Sequence, residues 1–253
     1  MNRLKDKVAV ITGGAGSIGK ATAKLFLAHG AKVMLVDLGE DALKEAIAEL
    51  GSENVAYTVA DVTKFADAEN YAQKTVERFG AIDVFFNNAG IEGVVKPLTE
   101  YPEDVFDKVL AVNVKGVWFG NKAVYPKMND GGSIIISSSV AGLSGTAGTL
   151  AYTTSKHAVI GLMKVSALEF AERKIRVNTV NPSPVDNRMM RSLEEGFAPG
   201  HAAAVKADLE KTIPLARYAQ PEEISAMVLF LASDDSKFIT GTYNRVDGGM
   251  GAK

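Results

Sequence analysis

Short, unbroken apolar runs alternate along the chain with segments in which hydrophobic residues recur every three or four positions. Val8-Ala9-Val10-Ile11-Thr12 is the first run. Lys32 to Val36, Val55 to Val59, Val84 to Phe86, Ser133 to Ser137, Arg176 to Val180 and Thr242 to Val246 follow it. Between them the spacing predicts helices over about Ser17 to His29, Asp41 to Leu50, Lys64 to Phe79 and Pro102 to Met128. A further helix contains Tyr152 and runs through Glu169, and a last one covers Pro221 to Ser233. Proline opens the last helix at a position where its missing N–H costs nothing. Strands that are apolar at every position are covered on both faces, which indicates a parallel sheet. Right-handed crossovers then wind the chain around that sheet twice.

The expected fold is therefore α/β, a doubly wound Rossmann-type domain. Its sheet is mainly parallel and seven-stranded, with helices on both faces. No linker, repeat or low-complexity stretch divides the chain, so residues 1–253 read as one domain. The least regular segment, about 183–211, follows a strand at the ligand-facing edge of such sheets and is too long for an ordinary loop. It reads as a substrate lid with some helix of its own.

Composition narrows the function. With 253 residues and 47% hydrophobic content the chain can build a large core. Its net charge of −2, without a run of either sign, argues against nucleic acid and against a polybasic membrane patch. No apolar run approaches the length of a membrane span, and Met1 to Lys7 lack a signal-peptide apolar region. The absence of cysteine excludes disulfides and thiolate metal sites and fits a reducing cytoplasm. The three histidines, His29, His157 and His201, lack metal-ligand spacing, so no metal is expected.

Three constellations carry chemistry. Strand one runs into Thr12-Gly13-Gly14-Ala15-Gly16-Ser17-Ile18-Gly19, where a helix opens. Glycines let the backbone approach a pyrophosphate, and a helix N-terminus offers free N–H groups to its charge. The second strand ends at Asp37, eighteen residues beyond Gly19. A carboxylate there accepts hydrogen bonds from adenosine ribose hydroxyls and repels a 2′-phosphate. No basic residue adjoins it in sequence, so the expected cofactor is NAD (NADH) over NADP. Finally, Tyr152 and Lys156 are four residues apart on one helical face. An ammonium about 4 Å from a phenolate stabilises it by roughly 4 kcal/mol at an effective dielectric of about 20. That is about three pKa units, enough to make a phenol useful near neutral pH. Alone, such a pair also fits a half-buried tyrosine beside a surface lysine.

With these features in order, together with Asn87-Asn88-Ala89-Gly90, the chain resembles the short-chain dehydrogenase/reductase family, in its subgroup of about 250 residues. The resemblance covers nearly the whole chain. Asp61-Val62 stands where the family binds adenine, and Ser139 lies thirteen residues before Tyr152, the family spacing for the catalytic serine. Ile239-Thr240-Gly241 and Val246-Asp247-Gly248-Gly249 match the family's C-terminal signature. The resemblance implies a catalytic set of Asn113, Ser139, Tyr152 and Lys156. Tyr152 would be the general acid–base, and Lys156 would lower its pKa and bind the nicotinamide ribose. Ser139 would hold the substrate oxygen, and Asn113 a water in a proton relay. Cofactor contacts would come from Gly13, Gly16, Ser17, Ile18, Asp37, Asp61, Val62, Asn88, Ala89, Gly90, Tyr152 and Lys156, and from Pro182, Val185 and Asn187 beyond the sixth strand. Asn87 reads as a structural tie between strands.

Two departures from the family pattern stand out. Gly16 and Ser17 reverse the usual placement of glycine in the loop, so a hydroxyl at Ser17 either meets a phosphate or caps the helix. In Asn181-Pro182-Ser183-Pro184-Val185-Asp186-Asn187, serine replaces the usual glycine and asparagine the usual threonine, while Pro184 stiffens the step.

The lid offers Met189 and Met190 beside Ser139 and Tyr152 as substrate contacts, and methionine adapts to varied apolar shapes. The expected substrate is a small to medium, mainly apolar secondary alcohol or ketone. The expected assembly is a homotetramer, with a homodimer as the alternative, built through the region 102–128 and the Tyr152 helix. Val117, Trp118, Phe119, Val159, Leu162 and Met163 fit either core or interface. Two rival functions remain: a 3-oxoacyl thioester reductase, and a non-catalytic nucleotide-binding protein.

Overall fold

Strand β1 (Val8–Thr12) is buried at all five positions because it lies inside the sheet, between β2 (Lys32–Asp37) and β4 (Ile82–Asn87). The computed structural model describes residues 2–252. Its sheet has the order β3-β2-β1-β4-β5-β6-β7, with β3 (Val55–Val59), β5 (Met128–Ser137), β6 (Arg176–Pro182) and β7 (Tyr243–Val246) completing it. All six pairings are parallel, where the expectation was a mainly parallel sheet.

Successive side chains of a strand point to opposite faces, and the two cores divide accordingly. Ile11, Leu35 and Phe86 pack on one face, under α1 (Ser17–Ala28), α2 (Glu40–Leu50) and α9 (Pro221–Ala232). Val10, Met34, Phe85 and Ile134 pack on the other, under α3 (Phe65–Phe79), α5 (Gly116–Val124) and α6 (Leu150–Glu169). The sheet order reverses between β1 and β4, and the crevice at the carboxyl ends of these strands is where such folds bind ligands.

Three elements differ from the sequence reading. The helix expected from Pro102 to Met128 is interrupted: α4 (Glu103–Leu110) passes through a π turn (Ala111–Lys115) into α5, and a short 3₁₀ turn (Tyr125–Lys127) ends it. Five regular-looking residues give no periodic sign of that turn, because only the tertiary pull on Asn113 described below requires it. Strand β5 starts at Met128 rather than Ser133. Its turn-like Asn129-Asp130-Gly131-Gly132 is absorbed by a register shift against β4 between Ile82 and Val84. The irregular lid segment resolves into α7 (Arg188–Phe197) and α8 (Ala202–Thr212).

The residues left between core and interface separate cleanly. Val117, Val159 and Met163 are buried core, and Phe119 and Leu162 pack partly against it. Trp118 stays half exposed and shares a groove with exposed Val165 of α6, and Leu168 of the same helix is exposed. Among the described residues, no helix is long and apolar enough to cross a membrane.

Candidate active site

The floor of the crevice is the loop between β1 and α1. Gly13 sits at φ +63°, in the left-handed region that glycine enters without penalty. A Cβ at Gly19 would stand 2.2 Å from the Gly13 carbonyl oxygen, so the first turn of α1 can lie against the loop only if that residue is glycine. Gly16 is the N-cap, and no side chain caps the helix, so Ser17 does not fill that role. The first-turn N–H groups face the crevice and suit an anion. Asp37, at the end of β2, accepts from the N–H of Ala15 at 3.1 Å and of Leu38 at 2.8 Å, which fixes its carboxylate beside the loop.

Thr12 ties the ends of β1 and β4 together. Its hydroxyl accepts from the N–H of Asn88 at 2.9 Å and of Ala89 at 3.1 Å, and donates to Asn87 Oδ1 at 3.4 Å. The Asn88 amide donates to the Thr12 carbonyl at 3.1 Å, which holds the segment leading to Gly90 over the glycine loop. Asn87 is buried and donates to the Val117 carbonyl at 2.9 Å and to Asn121 at 3.2 Å, acting as the tie expected of it, here from strand to helix. Asp61 accepts from the Thr63 hydroxyl at 2.7 Å, and that bond holds its carboxyl below the ordinary range.

Asn113 lies in the π turn, an insertion that opens the regular helical ladder and that recurs at functional sites. Its side chain is buried and fully engaged. Oδ1 accepts from the Ile91 N–H at 2.9 Å, while Nδ2 donates to the Ile91 carbonyl at 2.9 Å and to Ser155 Oγ at 3.0 Å. This residue therefore braces the segment after β4 against α6 from behind the crevice wall.

Tyr152 and Lys156 sit one turn apart on α6, and the Lys156 Nζ is 5.5 Å from the centre of the Tyr152 ring. The expected phenol–ammonium pairing takes a different form. Lys156 Nζ donates to the Ser137 carbonyl at 2.9 Å, and burial lowers the amine to about 8. Burial also pushes the Tyr152 phenol up to about 12, the Ser139 hydroxyl pulls it down, and the negative charge of Glu92 raises it further. The chain's own groups thus hold the phenol protonated rather than acidified, because desolvation outweighs the hydrogen bond from Ser139 that lowers it. Ser139 caps the start of the 3₁₀ turn after β5 (Val140–Gly142): its Oγ accepts from the Ala141 N–H at 3.1 Å and donates to the Pro182 carbonyl at 3.4 Å.

The lid is stitched at its base. Val185 bridges Ala219, the Ala219 N–H reaches the Pro184 carbonyl at 3.0 Å, and the Asp186 N–H reaches the Ala219 carbonyl at 2.9 Å. The Asn187 Oδ1 caps α7 by accepting from the Met190 N–H at 3.1 Å, which leaves its NH₂ group for the crevice.

One cavity of about 960 Å³ gathers the residues singled out from sequence. Gly13, Gly16, Ser17, Ile18, Asp37, Asp61, Val62, Asn88, Ala89 and Gly90 line one arm. Ser139, Tyr152, Lys156, Pro182, Val185, Asn187, Met189 and Met190 line the other. Asn113 is the exception and lies behind the wall. Two contributors escaped the sequence reading. Lys20 lines the cavity near Asp37 although it is seventeen positions away, with its ammonium 2.6 Å from Glu49. Glu92 is a buried acid inside an otherwise apolar-looking phrase, and its only sequence signal was that incongruity.

Comparison with known proteins agrees with this geometry. A family model described as enoyl-(acyl carrier protein) reductase matches residues 13–251. Levodione reductase from Leifsonia aquatica is 38% identical over 99% of this chain and 96% of its own. A crystal structure of levodione reductase superposes with a TM-score of 0.96, covering 98% of this chain and 99% of its own. The structure of NAD⁺-bound xylitol dehydrogenase superposes at a TM-score of 0.91 and 34% identity, covering 97% of this chain and 99% of its own. A 3-oxoacyl-[acyl-carrier-protein] reductase from Thermotoga maritima is 39% identical over 98% of this chain and 99% of its own. With the matched fold, the glycine loop and the Ser139–Tyr152–Lys156 cluster in one crevice, the chain belongs to the short-chain dehydrogenase/reductase family of oxidoreductases.

Proposed function

We propose that the protein is an NAD(H)-dependent oxidoreductase that interconverts a secondary alcohol and a ketone by direct hydride transfer. The observation that carries this reading is the convergence of Ser139, Tyr152 and Lys156 on the cavity whose other arm holds the glycine loop and Asp37. The residues fit a dinucleotide. First-turn N–H groups of α1 would hold the pyrophosphate, the Asp37 carboxylate the adenosine ribose, and Lys156 the nicotinamide ribose. When bound, the nicotinamide supplies or accepts the hydride, and its oxidised form adds a positive charge beside the phenol. Tyr152 gives its proton to the carbonyl oxygen in reduction and takes the hydroxyl proton in oxidation. Ser139 donates to the same oxygen and sets it next to the phenol. Since the Asn113 side chain is committed to Ile91 and Ser155, its part in a proton relay would fall to its main chain in the π turn.

The substrate half of the cavity is walled by Met189, Met190, Leu193 and Phe197, which suits an apolar alcohol or ketone of small to medium size. The half-exposed apolar face of α5 and α6 supports a homotetramer. The cysteine-free composition supports a cytoplasmic setting. A second reading, a 3-oxoacyl thioester reductase, is favoured by the Thermotoga maritima relative. It predicts turnover of acetoacetyl-CoA.

An absorbance screen at the NADH band tests these readings against ketones, secondary alcohols and acetoacetyl-CoA with both cofactors. The expected result is turnover of an apolar alcohol–ketone pair with NAD(H). Tyr152→Phe should lower kcat by about 10³-fold or more while NADH still binds. Undiminished turnover by that variant would remove Tyr152 from the mechanism. NADH binding without turnover of any compound by the native protein would favour the non-catalytic alternative.

A further inference from the structure

The segment after β4 and the lid helix α7 are fastened to each other at both ends of the helix. At its first residue, Arg188 reaches Glu92 with two hydrogen bonds, Nη1 to Oε1 at 2.9 Å and Nη2 to Oε2 at 3.2 Å. At its other end, a Cβ on Gly196 would stand 2.8 Å from Val95, so the helix backbone sits directly on that side chain. Val95 is also pressed against Gly148, whose carbonyl accepts from the Lys96 N–H at 3.0 Å.

The pair is asymmetric. The Glu92 side chain is only 8% exposed, whereas that of Arg188 is 75% exposed. A surface ion pair contributes little, but a buried carboxylate that loses its partner is left with an uncompensated charge. The two hydrogen bonds to this carboxylate both come from the lid. Glu92 is moreover close enough to Tyr152 for its charge to act on the phenol. The groups that act on the phenol are Ser139 from the turn after β5, Lys156 from its own helix and, through its charge, Glu92 from the segment after β4, which Arg188 reaches from α7.

We propose that Arg188 is a positioning residue: by closing on Glu92 it fastens the lid over the reaction site and neutralises a buried carboxylate of the segment after β4. The inference rests on Tyr152 being the acid–base group. Closure of the lid and neutralisation of Glu92 are then one event. With the lid shut the carboxylate is paired, and with the lid lifted it is exposed to water.

The test compares Arg188→Gln, Arg188→Lys, Glu92→Gln and the double variant Glu92→Gln/Arg188→Gln. Amide hydrogen exchange across residues 188–197 reports the lid without any substrate. The pH profile of kcat/KM for the ketone most rapidly reduced in the screen reports the phenol. Arg188→Gln should speed exchange in α7 about ten-fold and raise the ketone KM more than it lowers kcat. It should also move the alkaline limb of ketone reduction upward by about half a unit or more, since an unpaired negative charge holds the phenol's proton more tightly. Glu92→Gln should move that limb downward. The double variant should match Glu92→Gln, because Arg188 acts only through Glu92, and Arg188→Lys should recover most of the lid protection.

Strictly additive losses in the double variant would overturn the proposal. So would unchanged exchange in Arg188→Gln, or limbs that move in the same direction. If Arg188→Gln fails to bind NADH, Arg188→Met, which also removes the charge, carries the same comparison of opposite limb shifts with Glu92→Gln. Full turnover by Tyr152→Phe would instead sink the acid–base reading on which the latch depends. An inactive Tyr152→Phe with additive pair variants would sink the latch alone.

Discussion

Lys156 illustrates how a residue proposed for the chemistry also bears on stability. Burial lowers its amine to about 8 from an ordinary 10.5. Between those pH values the unfolded chain binds the proton that the folded chain has released, so this lysine makes folding more favourable as pH rises through the window. Below about pH 8 the buried ammonium costs about 3 kcal/mol relative to the unfolded chain. Lys156→Met should therefore raise the melting temperature at pH 7, and the gain should shrink by pH 10, while turnover falls. Thermal unfolding at several pH values checks this, and a gain that grows with pH would refute it. Tyr152 has the opposite sign: its folded value of about 12 exceeds the ordinary 10.0, so its contribution is lost as pH rises between them. Ser139 was singled out only by the family resemblance, whereas the Tyr152–Lys156 spacing was legible in the sequence because helix geometry puts residues four apart on one face. The direction of the phenol's shift was not, because it depends on burial and on Glu92, which is sixty positions away. On the proposed reading Asp37 closes the adenosine end with a negative charge, so Asp37→Ala should lower the preference for NADH over NADPH by at least about ten-fold in kcat/KM. An unchanged cofactor ratio would shift that role elsewhere, with Lys20 of the same cavity the first residue to examine.

At the scale of elements, the β1–α1 junction is the most constrained piece of backbone. Gly19→Ala places a methyl 2.2 Å from the Gly13 carbonyl oxygen, and neither atom belongs to a flexible side chain. The loop or the helix must move, at about 1–3 kcal/mol, and NADH binding should weaken by about ten-fold or more. A fluorescence titration that finds native affinity would show that the junction is more forgiving than its geometry implies. The interrupted α4–α5 segment teaches the complementary lesson. Its hydrophobic spacing reads as one long helix, and the π turn exists because Asn113 must present both amide atoms to Ile91. A helical period cannot record a demand that comes from a neighbouring loop.

At the scale of the molecule, the doubly wound sheet was legible because seven apolar runs alternating with amphipathic helices have few other ways to bury both faces. Assembly was less so, since the same apolar residues on α5 and α6 satisfy either a core or an interface. The fold assigns Val117, Val159 and Met163 inward and leaves Trp118 of α5 and Val165 and Leu168 of α6 exposed. Light scattering should return four chain masses in solution, and Leu168→Glu should lower that number by placing a charge in the covered face. A native protein that scatters as a single chain would remove the tetramer.

By itself the sequence determined the strand–helix alternation, the glycine loop between the first strand and the first helix, and the placement of Tyr152 and Lys156 on one helical face. Each depends on contacts between near neighbours or on a local period. Only the tertiary structure decided that Asn113 acts as a brace, that Glu92 lies buried, and that Arg188 spans ninety-six positions to meet it. Those facts are set by desolvation and by long-range packing, and neither leaves a periodic trace along the chain.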